Sequence, residues 1–104
     1  MTLRELLTDA AGQLDGVATD LEPDGTVLWS RTGRPFASVD PGGAVAEFAL
    51  DPAVAAAAAR TPDVRLSGRG EGWVSFAPED LDDHAADRAI AWLASAHRRI
   101  GPRD

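Results

Sequence analysis

Residues 44–60, AVAEFALDPAVAAAAAR, change periodicity at their midpoint, and that change decides the fold class. Ala44 to Leu50 alternates, with Ala44, Ala46, Phe48 and Leu50 on one face and Glu47 on the other, the period-two pattern of a strand with one buried face. Asp51-Pro52 then supplies an N-cap carboxylate and a proline at the first helical position, so the alanine run reads as a short helix. It ends at Arg60, whose charge suits the negative helix end, and Pro62 closes it.

Working upstream, Thr26 to Arg31 and Phe36 to Asp40 are rich in β-formers. Arg31-Thr32-Gly33-Arg34 joins them, with glycine supplying the positive φ of a tight hairpin. Pro41-Gly42-Gly43 is a second reversal. Val17, Thr19 and Leu21 alternate weakly ahead of the Pro23-Asp24-Gly25 turn. At the start of the chain Thr2 and Glu5 form a capping box, and Leu3, Leu6, Leu7, Ala10, Ala11 and Leu14 repeat at helical spacing. A first helix is predicted from residue 2 or 3 to about 14.

Downstream, a loop containing Gly68, Gly70 and Gly72 leads into a strand, Trp73 to Phe76, which Pro78 breaks. A last helix starts near Asp80 or Asp82 and runs to Ile100, with Ala86, Ile90, Leu93, Ala96 and Ile100 on one stripe and Gly101-Pro102 ending it. The order α-β-β-β-α-β-α predicts an α+β fold: an antiparallel sheet of about four to five strands with helices packed on one face. One domain spans residues 1–104. Its expected core is Leu6, Leu14, Val27, Trp29, Phe36, Val39, Phe48, Leu50, Trp73, Phe76, Ile90, Trp92 and Leu93.

The chain contains no Cys, Lys, Tyr or Asn, and all ten basic residues are Arg. This pattern fits a GC-rich genome. It excludes a thiolate nucleophile, a cysteine metal site, a Schiff-base or phosphate-loop lysine and a phenolic acid. No targeting sequence or apolar stretch of spanning length is seen, which leads us to expect a cytoplasmic protein. Seventeen acidic side chains against ten basic ones give a formal net charge of −7, a field that repels polyanions, so DNA is a poor partner.

Four constellations carry the available chemistry. Asp80, Asp83, His84 and Asp87 fall on one face of the last helix, and carboxylates with an imidazole can hold a divalent metal; acids also gather at helix N-termini for electrostatic reasons. Arg60, Arg65 and Arg69 form a local basic segment that would meet phosphates if DNA were bound. Ser75, His84 and a nearby Asp have the composition of a hydrolase triad, without the nucleophile elbow that would accompany it. The Gly68-x-Gly70-x-Gly72 run precedes a strand and so lacks the helix N-terminus of a phosphate cradle.

Trp29 and Trp73 are expected to be neighbours in the sheet. With Arg31 and Arg34 they make an aromatic and arginine surface of the kind enriched in interface hot spots. The expectation from residues alone is a non-enzymatic binding module without a cofactor. It would take a protein partner or small ligand on the open sheet face through Trp29, Arg31, Arg34 and Trp73, as a monomer or homodimer.

Leu14-Asp15-Gly16-Val17, Gly33-Arg34-Pro35-Phe36-Ala37, Leu50-Asp51-Pro52, Trp73-Val74 and the closing helix ending near Ala96-His97-Arg98 resemble, in order and spacing, the YjbR/MmcQ-like family. That resemblance implies a small bacterial α+β domain with a frataxin-related fold. It also brings the suggestion of DNA binding made for some members.

Overall fold

The structure is a computed structural model that describes residues 1–100; the Gly101-Pro102 terminator lies outside the described residues. The elements are α1 (Leu3–Ala11), β1 (Val17–Leu21), β2 (Val27–Arg31), β3 (Arg34–Val39), β4 (Ala46–Ala49), α2 (Pro52–Ala58), β5 (Val64–Leu66), β6 (Trp73–Phe76) and α3 (Asp83–Ile100). The six strands form one antiparallel sheet in the order β1-β2-β3-β4-β6-β5. The class is the α+β expected. Two strands join the count: the weakly alternating Val17–Leu21 is the β1 edge, and Val64–Leu66, which the sequence presents as loop, is the β5 edge.

Local chemistry sets most element ends. In α1 the Thr2 N–H donates to Glu5 Oε1 at 2.8 Å and the Glu5 N–H donates to Thr2 Oγ1 at 3.1 Å, so two N-terminal donors are satisfied reciprocally. This helix stops at Ala11, short of Leu14, with Gly12 as its C-cap. Asp51 caps α2 through Ala53 N–H, and Asp82 Oδ1 accepts from Ala85 N–H at the start of α3. The β3–β4 reversal is held by Asp40, whose Oδ1 accepts from the N–H groups of both Ala44 and Val45.

Register determines which side chains meet the helices. Trp29 pairs with Ala37, Ala37 with Phe48, and Phe48 with Val74; Val27, Val39, Ala46 and Phe76 line up in the parallel row. Directly paired residues share a face, so these eight make the floor of the core. Leu3, Leu7 and Ala11 of α1 and Ala85, Ala89, Leu93 and Ala96 of α3 join them in a single buried cluster, with Ala55 and Ala58 of α2 over the β5–β6 end. A register shift between Trp29 and Ser30 opposite Pro35–Ala37 is a β-bulge that also turns Phe36 toward α3, where it meets the His97 ring edge-on.

The stripe that α3 buries differs from the one its sequence suggests. Ala85, Ala89, Leu93, Ala96 and His97 are buried, whereas Ile90 is 40% exposed. Small residues win the inner face because α3 must lie close to a sheet already filled by Trp29, Phe36, Phe48 and Phe76. Likewise Leu3 and Leu7, rather than Leu6 and Leu14, carry the inner face of α1, and Trp73 is only half-buried. No helix is long and apolar enough to cross a membrane among the described residues.

Candidate functional site

With helices on one side, the second face of the sheet is left uncovered. Period-two alternation puts Glu47, Ser75, Trp73, Ser38 and Arg65 on it: Glu47 pairs with both Ser38 and Ser75, and Arg65 pairs with Ser75. The β5–β6 hairpin carries Ser67 and Arg69 over this face. Ser67 Oγ donates to Glu47 Oε2 at 2.6 Å and Arg69 Nε donates to Glu47 Oε1 at 2.9 Å, so one carboxylate engages both hairpin residues. The Arg69 guanidinium in turn stands 5.1 Å from the Trp73 ring centroid, a cation–π stack.

Two shallow depressions flank this cluster. One, of about 330 Å³, is lined by Thr26, Ser38, Asp40, Val45, Glu47 and Arg69. The other, of about 560 Å³, is lined by Val45, Val64, Arg65, Ser75, Ala77 and Glu79 with Asp63. Val45 borders both, so the two polar depressions adjoin, the larger extending to the β5 edge at Asp63 and Val64. Arg69 spends only Nε on Glu47, which leaves its terminal nitrogens for another acceptor. Arg65 has no ion-pair partner among the described residues.

Two residues expected on this face are not there. Trp29 is 1% exposed and Arg31 9% exposed, both on the helix side. The reason is parity: Val27, Trp29 and Arg31 occupy alternate positions of one strand, and Val27 belongs to the core row. Nor are Trp29 and Trp73 neighbours, since β3 and β4 separate their strands and the two side chains lie on opposite faces. Arg34 is exposed at the β2–β3 hairpin tip, and Trp73 is on the open face under Arg69.

Arg31 has a structural role instead. Its Nη1 donates to the His97 main-chain oxygen at 3.0 Å and lies 3.4 Å from His97 Nδ1. His97 Nε2 is 2.7 Å from the Asp15 carbonyl oxygen. The carbonyl can only accept, so this contact assigns the ring proton to Nε2 and leaves Nδ1 free to accept from Arg31. The four groups tie the end of α3 to the loop before β1 and to β2.

The remaining sequence candidates are dispersed. Asp80, Asp83, His84 and Asp87 are all exposed, and among the described residues no group of three or more His, Cys, Asp or Glu is placed to hold a metal ion. α3 begins at Asp83, so Asp80 lies in the loop before it and not on the helix face that Asp83, His84 and Asp87 share, and among the described residues no other element brings a ligand to complete a shell. Arg60 is exposed beyond the end of α2 on the helix side, apart from Arg65 and Arg69 on the open face, so the three do not form one basic patch. Ser75 and His84 belong to opposite sides of the sheet, so no triad forms. The sequence hints at Glu47 by its place opposite Ala46 and Phe48, but its partners Ser67 and Arg69 lie twenty or more positions away and become neighbours only when the β5–β6 hairpin folds back.

No family model matches the chain, and no curated protein matches it. Among solved structures, a crystal structure of a protein from Pseudomonas syringae, a structural genomics target, is similar with a TM-score of 0.63 at 11% identity. The match covers 89% of this chain and 94% of that one. At that identity the two share a fold.

Proposed function

We propose that the chain is a non-enzymatic binding module that takes a polar small ligand or a protein segment on the open sheet face, centred on Glu47, Arg69 and Trp73. The supporting observation is the Glu47–Arg69–Trp73 stack beside an uncovered concave surface. Arg69 is held in place by a carboxylate and an aromatic ring while its terminal nitrogens remain available for an anionic group. Trp73 adds a flat apolar surface, and the small, part-exposed Ser75 leaves room above the sheet beside it.

The resemblance to YjbR/MmcQ-like proteins stays within this proposal as its family reading. The DNA role suggested for some members finds little support on this face, where Glu47, Asp40 and Glu79 accompany the two arginines.

The test is a thermal-shift screen across divalent metals, nucleotides, small metabolites and, at low salt, short duplex DNA, repeated with Arg69→Ala and Trp73→Leu. The reading expects stabilisation by an anionic ligand in the parent protein that both variants lose. A ligand whose stabilisation survives both substitutions would place binding elsewhere and overturn it. If no small molecule responds, binding of a host protein that both variants abolish supports the protein-segment form, and binding that both retain overturns that form too.

A further inference from the structure

The sheet ends on β1, and the geometry of that edge is symmetric. The Glu22 N–H donates to Thr26 O at 2.8 Å, which makes residues 22 and 26 a hydrogen-bonded pair. The register from Leu21↔Val27 to Val17↔Arg31 is unbroken, so Ala18 and Asp20 are the residues bonded to β2. The N–H and C=O groups of Val17, Thr19 and Leu21 therefore point away from the sheet. The same alternation turns Arg31 toward β3, as its two-residue hairpin with Arg34 requires.

These three outward residues are spaced evenly about Thr19. A twofold axis at Thr19 sets Val17 against the second copy's Leu21 and Thr19 against its own counterpart, so every outward N–H meets an outward C=O. The side chains agree with this register. Val17, Thr19 and Leu21 lie on the helix side, yet Thr19 is exposed and Leu21 is 68% exposed, so the helices do not overhang β1 and leave the approach clear. The axis forms two apolar Val–Leu cross-strand pairs, which bury the exposed Leu21 side chain, and one Thr–Thr pair, a favourable kind. It sets Asp20 opposite the second copy's Ala18, so no like charges face each other directly. The other edge, β5, has only three residues and carries Arg65.

We infer that β1 pairs antiparallel with β1 of a second copy about a twofold axis at Thr19, joining two six-stranded sheets into one. The open faces of the two copies become a single continuous surface. Each copy carries a formal net charge of −7, so the association strengthens as salt screens the repulsion.

The experiment combines sedimentation velocity across protein and salt concentration with amide hydrogen exchange, on the parent chain and on Thr19→Pro and Leu21→Asp. Thr19→Pro removes an N–H that β2 does not use, and prolines are tolerated on edge strands. Leu21→Asp alters a side chain already in solvent, so neither change threatens the monomer fold. The parent mass should rise from 10.9 kDa toward twice that value with concentration, and both variants should remain at 10.9 kDa. The amides of Val17, Thr19 and Leu21 should gain protection as the dimer forms, with Ala18 and Asp20 protected throughout. A parent that stays monomeric under all conditions overturns the inference, as does a dimer in which the outward amides exchange freely or which survives Thr19→Pro.

Discussion

The Arg31 guanidinium reaches across from β2 to the main-chain oxygen of His97 in the last turn of α3, at 3.0 Å. A charged donor buried against a helix C-terminus satisfies a carbonyl that the helix itself cannot, and the local negative dipole end favours it. Arg31→Ala would leave that carbonyl and His97 Nδ1 without a donor and open a gap beside the His97 ring. The expected cost is about 2–4 kcal/mol, from a lost charge-assisted hydrogen bond plus lost packing. Urea unfolding measures it. A loss below about 0.5 kcal/mol would show that water replaces the guanidinium freely.

Two glycines of the β5–β6 hairpin should differ sharply in their tolerance of the same substitution. Gly72 has φ +82°, and a Cβ there would lie 2.3 Å from the Leu50 carbonyl oxygen, a backbone atom whose chain is fixed by the Leu50 N–H to Gly72 O bond at 2.8 Å. Gly68 has no atom within 4 Å of such a Cβ. Gly72→Ala is expected to lower stability by more than about 2 kcal/mol, and Gly68→Ala to change it by no more than about 0.5 kcal/mol. Comparable thermal midpoints for the two variants would contradict the close approach at Gly72.

Thr32, the first residue of the two-residue β2–β3 turn, has φ 51°, and Gly33 follows at φ 80°. Both positive values match the twist of a type I′ hairpin, but a β-branched side chain is poorly suited to the first position. Thr32→Asn should raise the unfolding free energy by about 0.5–1 kcal/mol. Calorimetry or denaturant titration decides. A destabilised variant would mean that the Thr32 hydroxyl bond to the Arg31 carbonyl outweighs the backbone strain.

Alternation and caps made much of this architecture legible. The capping box at Thr2, the Asp51-Pro52 start and the alternating faces of β4 depend on residues within a few positions of one another. What escaped the sequence depended on distant pairing. Val64–Leu66 becomes a strand only because β6 lies beside it, and the order β4-β6-β5 that separates Trp29 from Trp73 has no local signature. The inner face of α3 likewise depends on what it lies against, since Ile90 is the better hydrophobe but Ala89 is what fits beside the aromatic floor. Leu93→Ala should therefore cost about 2–5 kcal/mol and Ile90→Ala under about 1 kcal/mol, although both belong to the apparent apolar stripe. Equal losses in a denaturant series would restore the stripe read from the sequence.

The proposed site has its own mechanical signature. Glu47 anchors Arg69 over Trp73, with side chains that remain 24% and 36% exposed, so the pair organises the surface more than it stabilises the fold. Glu47→Gln should shift unfolding by less than about 1 kcal/mol because solvent screens the pair. The same change weakens the hold on the Arg69 side chain, and the Trp73 indole loses its stacked cation. In two-dimensional spectra the Trp73 indole N–H resonance should move, while those of Trp29 and Trp92, packed on the opposite side of the sheet, stay in place. If Trp73 is unmoved, Arg69 is held by the ring and the hairpin backbone alone, and Glu47 is free to take part in binding directly.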